Sequence, residues 1–340
     1  MMKKLKADWM LTYFLRRLIY MIIVLMLVSF VAFVIINLPP GSWIENYAAQ
    51  LETQGSLDNR AELDYLTERY GLDQPLLEQY VRWIVPVVTR GDFGQSFEWR
   101  QPVWMLIRDR LWITIIMSLA SLVFVYLVAI PIALYSATHQ YSPGDYLFSF
   151  FGLIGLATPS FLLALVFMLI SVRVFNITPG GLFSPQYLNE PWSLAKVWDL
   201  LLHLPVPIIV VGAAGTATVI RVLRAQLLDE FQKQYVITAR AKGLTEWRLI
   251  LKYPFRMALN PIISSVGSLL PQIVSGSTIV AIVLGLPTTG PLLLRSLIAQ
   301  DTYAAASMLL LLSCLTVIGV FISDLLLIWL DPRIRLEKGN

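Results

Sequence analysis

Six stretches of this chain are long and apolar enough to cross a membrane, and they constrain everything between them. A spanning helix needs roughly 20 apolar residues. Residues 18–38, 111–138, 201–220 and 259–286 contain no Asp, Glu, Lys or Arg. Residues 146–175 are interrupted by Gly152, Gly155 and Pro159 and carry Arg173, while 303–330 carry Asp324. Pro205 and Pro207 make the fourth stretch the weakest. Only 14% of the 340 residues are charged, against about 25% in a soluble domain. A water-soluble enzyme is therefore a poor reading. Arg16 and Arg17 precede the first stretch as they would in a signal peptide, but its length and the lack of a small-residue cleavage site favour a retained helix.

Sorting the charges orients the helices. With 1–17, 139–145, 221–258 and 331–340 on the inside, that side holds 16 of the 26 basic residues and seven of the eight lysines. The formal charge of +4 divides into about +9 inside and −5 outside. This positive-inside bias places both termini in the cytoplasm, with the spans in contact with membrane lipid. Residues 39–110 form a polar insertion on the outer face. There, 60–70 read as a helix capped by Asp58 or Asn59 and stopped by Gly71. A second helix starts near Pro75 and carries Leu76, Leu77, Tyr80 and Trp83. A segment of this size makes a lid or a docking platform rather than a large independent core.

Several chemistries are missing. No lysine follows a glycine, so there is no Walker-type loop, and no G-x-S-x-G occurs. The single cysteine, Cys314, excludes an intrachain disulfide, and His139 and His203 are too far apart in sequence to suggest a metal site. No catalytic residue, metal ligand or cofactor is expected in this chain, nor binding to nucleic acid. Ion-coupled carriers hold acids or histidines at mid-membrane. Here Arg173 lies near the outer end of its span, where it can snorkel, and Asp324 near the inner end of its own. Together with the absence of internal symmetry, this disfavours a secondary carrier.

The loop 221–258 carries eight basic and three acidic residues. Helix formers lead to Gly243, where a helix should end. A second stretch then places Trp247, Ile250 and Leu251 on one face and Arg248 and Lys252 on another. On charge alone this reads equally as a pair of helices projecting from the membrane or as a basic surface helix held by anionic lipid. Its residue order says more. Gln234-Tyr-Val-Ile-Thr-Ala-Arg-Ala-Lys-Gly-Leu244, followed by Phe255-Arg-Met-Ala-Leu-Asn-Pro261, resembles the coupling loop of ABC-importer permeases. The match is narrower still to the first permease subunit of the dipeptide/oligopeptide, binding-protein-dependent family. Tyr13-Phe-Leu-Arg-Arg-Leu18, Leu38-Pro-Pro-Gly41, Arg69-Tyr-Gly-Leu-Asp-Gln-Pro75, Gly91-Asp-Phe-Gly-Gln-Ser96, Ala157-Thr-Pro-Ser-Phe161, Ser323-Asp-Leu325 and Asp331-Pro-Arg-Ile-Arg335 extend the resemblance over nearly the whole chain.

The resemblance implies an all-α integral membrane protein with six transmembrane helices. Its parts would be 1–38 as N-terminus and first helix, 39–110 as extracytoplasmic insertion, 111–330 as permease core with coupling loop 221–258, and 331–340 as tail. It also implies a second homologous permease, two ATP-binding subunits that hold the ATP and Mg, and an extracytoplasmic solute-binding protein that delivers peptides. The coupling positions would be Thr238, Ala239, Arg240, Ala241, Lys242, Gly243 and Leu244. The small Ala239 and Ala241 would permit close approach, and Arg240 and Lys242 would reach acidic groups of a partner. Two positions depart from the family pattern. Ile237 stands where a glutamate usually precedes the glycine by six residues, and Ala281 stands where another acid is common. In the fifth span Ser264, Ser268, Gln272 and Ser275 share one helical face. That face reads as a neutral substrate path or as polar helix packing. A neutral path suits a peptide backbone, and equally an oligosaccharide or another uncharged solute.

Overall fold

A computed structural model of the chain describes residues 2–39, 41, 43, 67, 68, 71, 73–175, 180–187 and 190–330. All of the helix expected over 60–70 except residues 67 and 68, and the tail 331–340, lie outside the described residues. Among the described residues twelve α-helices follow one another: α1 Met2–Ile36, α2 Leu76–Arg90, α3 Val103–Thr138, α4 Pro143–Ala157, α5 Ser160–Phe175, α6 Leu194–His203, α7 Pro205–Phe231, α8 Gln234–Ala241, α9 Glu246–Lys252, α10 Pro254–Val283, α11 Thr289–Ile298 and α12 Thr302–Leu330. Among the described residues there is no β-strand, only an isolated bridge between Gln95 and Pro102.

Among the described residues four segments are long and apolar enough to cross a membrane: Leu15–Ile36, Val103–Thr138, Leu194–Phe231 and Thr302–Ile328. Two bent pairs raise the number to six if each is one span: α4 with α5, at 113°, and Glu246–Leu269 with Gln272–Val283, at 51°. The first bend has a covalent cause. Pro159 follows Thr158 between α4 and α5 and lacks the N–H that would continue the ladder. The fourth apolar stretch extends beyond 201–220 at both ends, because Leu204 continues α6 almost directly into α7. Pro205 and Pro207 fall in the first turn of α7, where proline is tolerated.

The chain forms two compact units, Met1–Leu111 with Leu292–Val317, and Trp112–Pro291 with Ile318–Asn340. The first is built around aromatic rings. Phe33 of α1 stacks on Trp83 of α2 at 5.6 Å and meets Tyr80 edge-on at 5.6 Å. Both polar tips are satisfied: Tyr80 Oη lies 2.8 Å from Ser29 Oγ, and Trp83 Nε1 donates to Ser307 Oγ at 3.3 Å. Gly91 ends α2 with φ +67°, its N–H reaching back to Val87 O. Gly94 passes beneath Tyr303 where a Cβ would come within 2.5 Å of the ring. Asp301 caps α12 by accepting from Ala304 N, and also accepts from Ser96 Oγ at 2.5 Å and Glu98 N at 3.1 Å. The Gly91–Ser96 motif is therefore the clasp of this unit.

The second unit packs around α7. Ser121, Val125, Ala129, Ala133 and Ala137, each four residues after the last, form a buried stripe on α3. Against the aliphatic part of it lie Val219, Leu223 and Leu227 of α7 and Ala258 and Ile262 of α10. A Cβ on Gly212 would fall 2.8 Å from Phe124, and one on Gly215 3.2 Å from Val125. These glycines serve close packing. Helix α4 runs antiparallel to α7, since Asp145, Gly152 and Gly155 meet Arg224, Ala217 and Ala213 in reverse order.

Candidate functional site

Helices α8 and α9 form a hairpin with a core of its own. Val236, Ala239, Leu249 and Ile250 are buried together and pack against Leu134 of α3, Phe231 of α7 and Phe255 of α10. The turn is made by Gly243, at φ +79°, whose N–H bonds Arg240 O at 3.0 Å. No atom lies within 4 Å of the place a Cβ would occupy, so the glycine is required by backbone conformation and not by crowding. Because α9 is only two turns long, its buried face is narrow. Leu249 and Ile250 take it, leaving Trp247 and Leu251 exposed, so the expected apolar face of Trp247, Ile250 and Leu251 is rotated by part of a turn.

Three polar ties brace this hairpin. Glu230 at the end of α7 accepts from Lys233 Nζ at 2.6 Å and from Tyr235 Oη. Burial, and then the Glu230 carboxylate, push the Tyr235 hydroxyl above the ordinary tyrosine value. Arg240 grips Glu246 with two bonds, of 2.6 and 3.2 Å, joining α8 to α9. The hydrogen bond from Arg240 holds Glu246 below the usual carboxylate value, and Glu246 raises Arg240 in turn. Deeper in the same unit, Arg224 of α7 holds Asp145 of α4 with Nε at 3.0 Å and Nη2 at 2.7 Å.

The seven coupling positions read from the sequence fall on this hairpin but not on one surface. Thr238, Arg240, Ala241, Lys242 and Gly243 are exposed, Leu244 is half-buried, and Ala239 points into the hairpin core. Ala239 thus supports the surface from beneath, and the Arg240 guanidinium is already engaged by Glu246 within the chain. Ile237, at the position where a glutamate was expected, is 50% exposed and adds an apolar spot to an otherwise polar face.

Ser264, Ser268, Gln272 and Ser275 are all exposed along α10, and Gly276 beside them has open space around it. The opposite side of α10 is packed. A Cβ on Gly267 would lie 3.0 Å from Val320 Cα of α12, and Ser323 Oγ donates to Ile263 O at 2.7 Å. Within this chain these packing contacts of α10 are made by residues other than those four. Ala281 lines a small void of about 10 Å³ together with Thr114, Ser118, Ser121, Ser277 and Thr288, room for about one water.

Sequence reasoning missed the Asp145–Arg224, Glu230–Tyr235 and Ser96–Asp301 contacts. A signal existed for the first: Ser142-Pro-Gly-Asp145 is an N-cap sequence, and Ser142 Oγ does accept from Asp145 N at 3.2 Å. The other two join residues whose pairing no local pattern reveals.

Residues 129–336 match the family described as binding-protein-dependent transport system inner membrane component, and residues 10–120 match the N-terminal region described for membrane components of such systems. The chain is 32% identical over 328 residues to the oligopeptide transport system permease protein AppB of Bacillus subtilis, covering 96% of this chain and 100% of that protein. It is 28% identical to the inner membrane ABC transporter permease protein YejB of Escherichia coli O157:H7, over 96% of this chain and 99% of that one. It is likewise 28% identical to the oligopeptide transport system permease protein OppB of Haemophilus influenzae, over 96% of this chain and 100% of that protein.

Proposed function

Because the chain belongs to the family of binding-protein-dependent transport system inner membrane components, we propose that it forms one half of an ATP-driven import path for peptides. A second, related permease supplies the other half. Two ATP-binding subunits seat on the α8–α9 hairpins of the two permeases and carry the ATP and Mg. A solute-binding protein delivers its cargo to the opposite side, where residues 39–110 and 176–200 lie. The α4–α5 pair and the two bent halves of α10 each count as one span in this reading, giving six, with both termini on the hairpin's side in keeping with the charge distribution.

The observation that carries the proposal is the hairpin itself. It is folded on its own apolar core against three helices, turned by Gly243 and braced at both ends, while it presents Thr238, Arg240, Ala241 and Lys242 outward. A lipid-held surface helix would instead turn its apolar face to the membrane. Displacing a hairpin built in this way moves α7 and α10 with it. The exposed polar face of α10 then serves as the chain's share of the path, hydrogen-bonding a passing peptide through Ser264, Ser268, Gln272 and Ser275. The relatives named for oligopeptides favour peptides over the oligosaccharide alternative.

The test is uptake by proteoliposomes holding the assembled complex, its binding protein and internal ATP. Labelled peptide should accumulate only when the binding protein is present. Oligosaccharide uptake without peptide uptake would overturn the substrate assignment. Uptake driven by an ion gradient without ATP would overturn the mechanism.

A further inference from the structure

We propose that the Asp145–Arg224 pair is a positioning element, a stay that makes α4 move with α7 when the α8–α9 hairpin is displaced. The proposal rests on the importer reading above. Its first support is geometry. Arg224 meets Asp145 with two separate nitrogens, at 3.0 Å to Oδ1 and 2.7 Å to Oδ2. A forked contact of this kind fixes orientation as well as distance, which a single bond from lysine does not. The Asp145 side chain is 4% exposed and that of Arg224 25%.

Burial argues against a purely stabilising role. Removing two charges from water costs about as much as their attraction returns, and an apolar pair of similar shape would hold the helices equally well. What an apolar contact would not give is register. Two further points of the α4–α7 contact are of that sliding kind, Gly152 against Ala217 and Gly155 against Ala213.

Both ends of the stay are anchored. Asp145 belongs to the stiff turn from α3 to α4. Its Oδ2 also accepts from Tyr141 N at 3.0 Å, and Ser142 caps its own N–H. Tyr135 stacks on His139 at 4.7 Å, and a Cβ on Gly144 would fall 2.6 Å from the Tyr135 ring. Arg224 lies less than two helical turns before Glu230, which holds Lys233 and Tyr235 at the root of the hairpin. A continuous line of rigid contacts therefore runs from the hairpin through α7 and the ion pair into α4, the kind of physical connection along which coupling passes.

The test uses the full complex in proteoliposomes, with Arg224→Gln, Asp145→Asn, the double variant and Arg224→Lys. Basal ATP hydrolysis, hydrolysis stimulated by loaded binding protein, and peptide moved per ATP are measured for each. Either single change should leave basal hydrolysis in place and lower peptide moved per ATP by about tenfold. The double variant should be no worse than the singles, and Arg224→Lys should lie between. Unchanged transport per ATP in the singles, or additive losses in the double variant, would overturn the stay and leave the importer reading intact. If Arg224→Gln fails to assemble, Arg224→Lys carries the test, because it keeps the charge and loses only the fork. Full coupling in Arg224→Lys would then overturn the proposal. A wild-type chain that hydrolyses no ATP with any partner would overturn the importer reading and the stay together.

Discussion

Gly243 turns the α8–α9 hairpin at φ +79°, with no neighbour within 4 Å of a Cβ. Its substitution therefore isolates backbone strain from packing. Gly243→Ala should cost about 1–2 kcal/mol, the penalty of a left-handed L-residue, and Gly243→Asn should recover much of that loss. Thermal unfolding of the purified chain in detergent measures both. Equal melting of all three proteins would mean that the turn is not held in this conformation. A helix end at Gly243 was legible from the sequence, because a glycine closing a run of helix formers takes the left-handed conformation that stops a helix. The inward turn of Ala239 was not. In a helix of eight residues the apolar positions are too few to define a face, and only the neighbouring Leu134, Phe231 and Phe255 decide it. Asp301 shows the same limit: its partners Ser96 and Glu98 lie about two hundred residues away in sequence.

Tyr235 offers a pH test of how α8 is tied to α7. Its hydroxyl is raised above the usual tyrosine value in the folded chain, so the folded state holds that proton more tightly than the unfolded state does. The stabilisation is therefore fully present below the unfolded value of about 10 and drains as pH rises from there. Tyr235 is 37% exposed, so solvent screening limits its worth to about 1 kcal/mol. Melting midpoints between about pH 8 and 11 should fall more steeply for the wild type than for Tyr235→Phe. Parallel curves would contradict the tie to Glu230.

At the scale of elements, α10 separates two roles along one helix. Gly267 faces Val320 Cα, and backbone cannot yield to a new side chain, so Gly267→Leu should destabilise the chain by about 1–3 kcal/mol. Gly276 faces open space, and Gly276→Leu should leave the melting midpoint unchanged or raise it, since glycine is a poor helix former. In the assembled complex the same Gly276→Leu should slow peptide uptake by narrowing the path. Unimpaired uptake would assign the polar face of α10 to something other than transport. The apolar stretches that become α1 and α3 were legible because no charge interrupts them, and that of α12 because Asp324 is its only charge. The 113° bend between α4 and α5 was foreshadowed by Pro159, but a proline alone does not specify the angle. The extension of the fourth stretch back to Leu194 was hidden, because α6 is amphipathic and buries Lys196, Asp199 and His203.

For the whole molecule, hydrophobicity alone indicated a membrane protein and no more. Charge sorting supplied an orientation, and one basic loop pointed to a machine with partners. The structure adds that this loop is a folded, braced hairpin rooted in three helices. The most direct measurement of the central claim is to purify the tagged chain from its native membrane in mild detergent and follow ATP hydrolysis in the eluate. ATP-binding subunits should co-elute, and hydrolysis should rise when loaded binding protein is added. Ala239→Arg, which forces a charge into the hairpin core, should abolish both. Elution without an ATP-binding subunit, or undiminished stimulation in Ala239→Arg, would contradict the claim that this hairpin couples the chain to its motor.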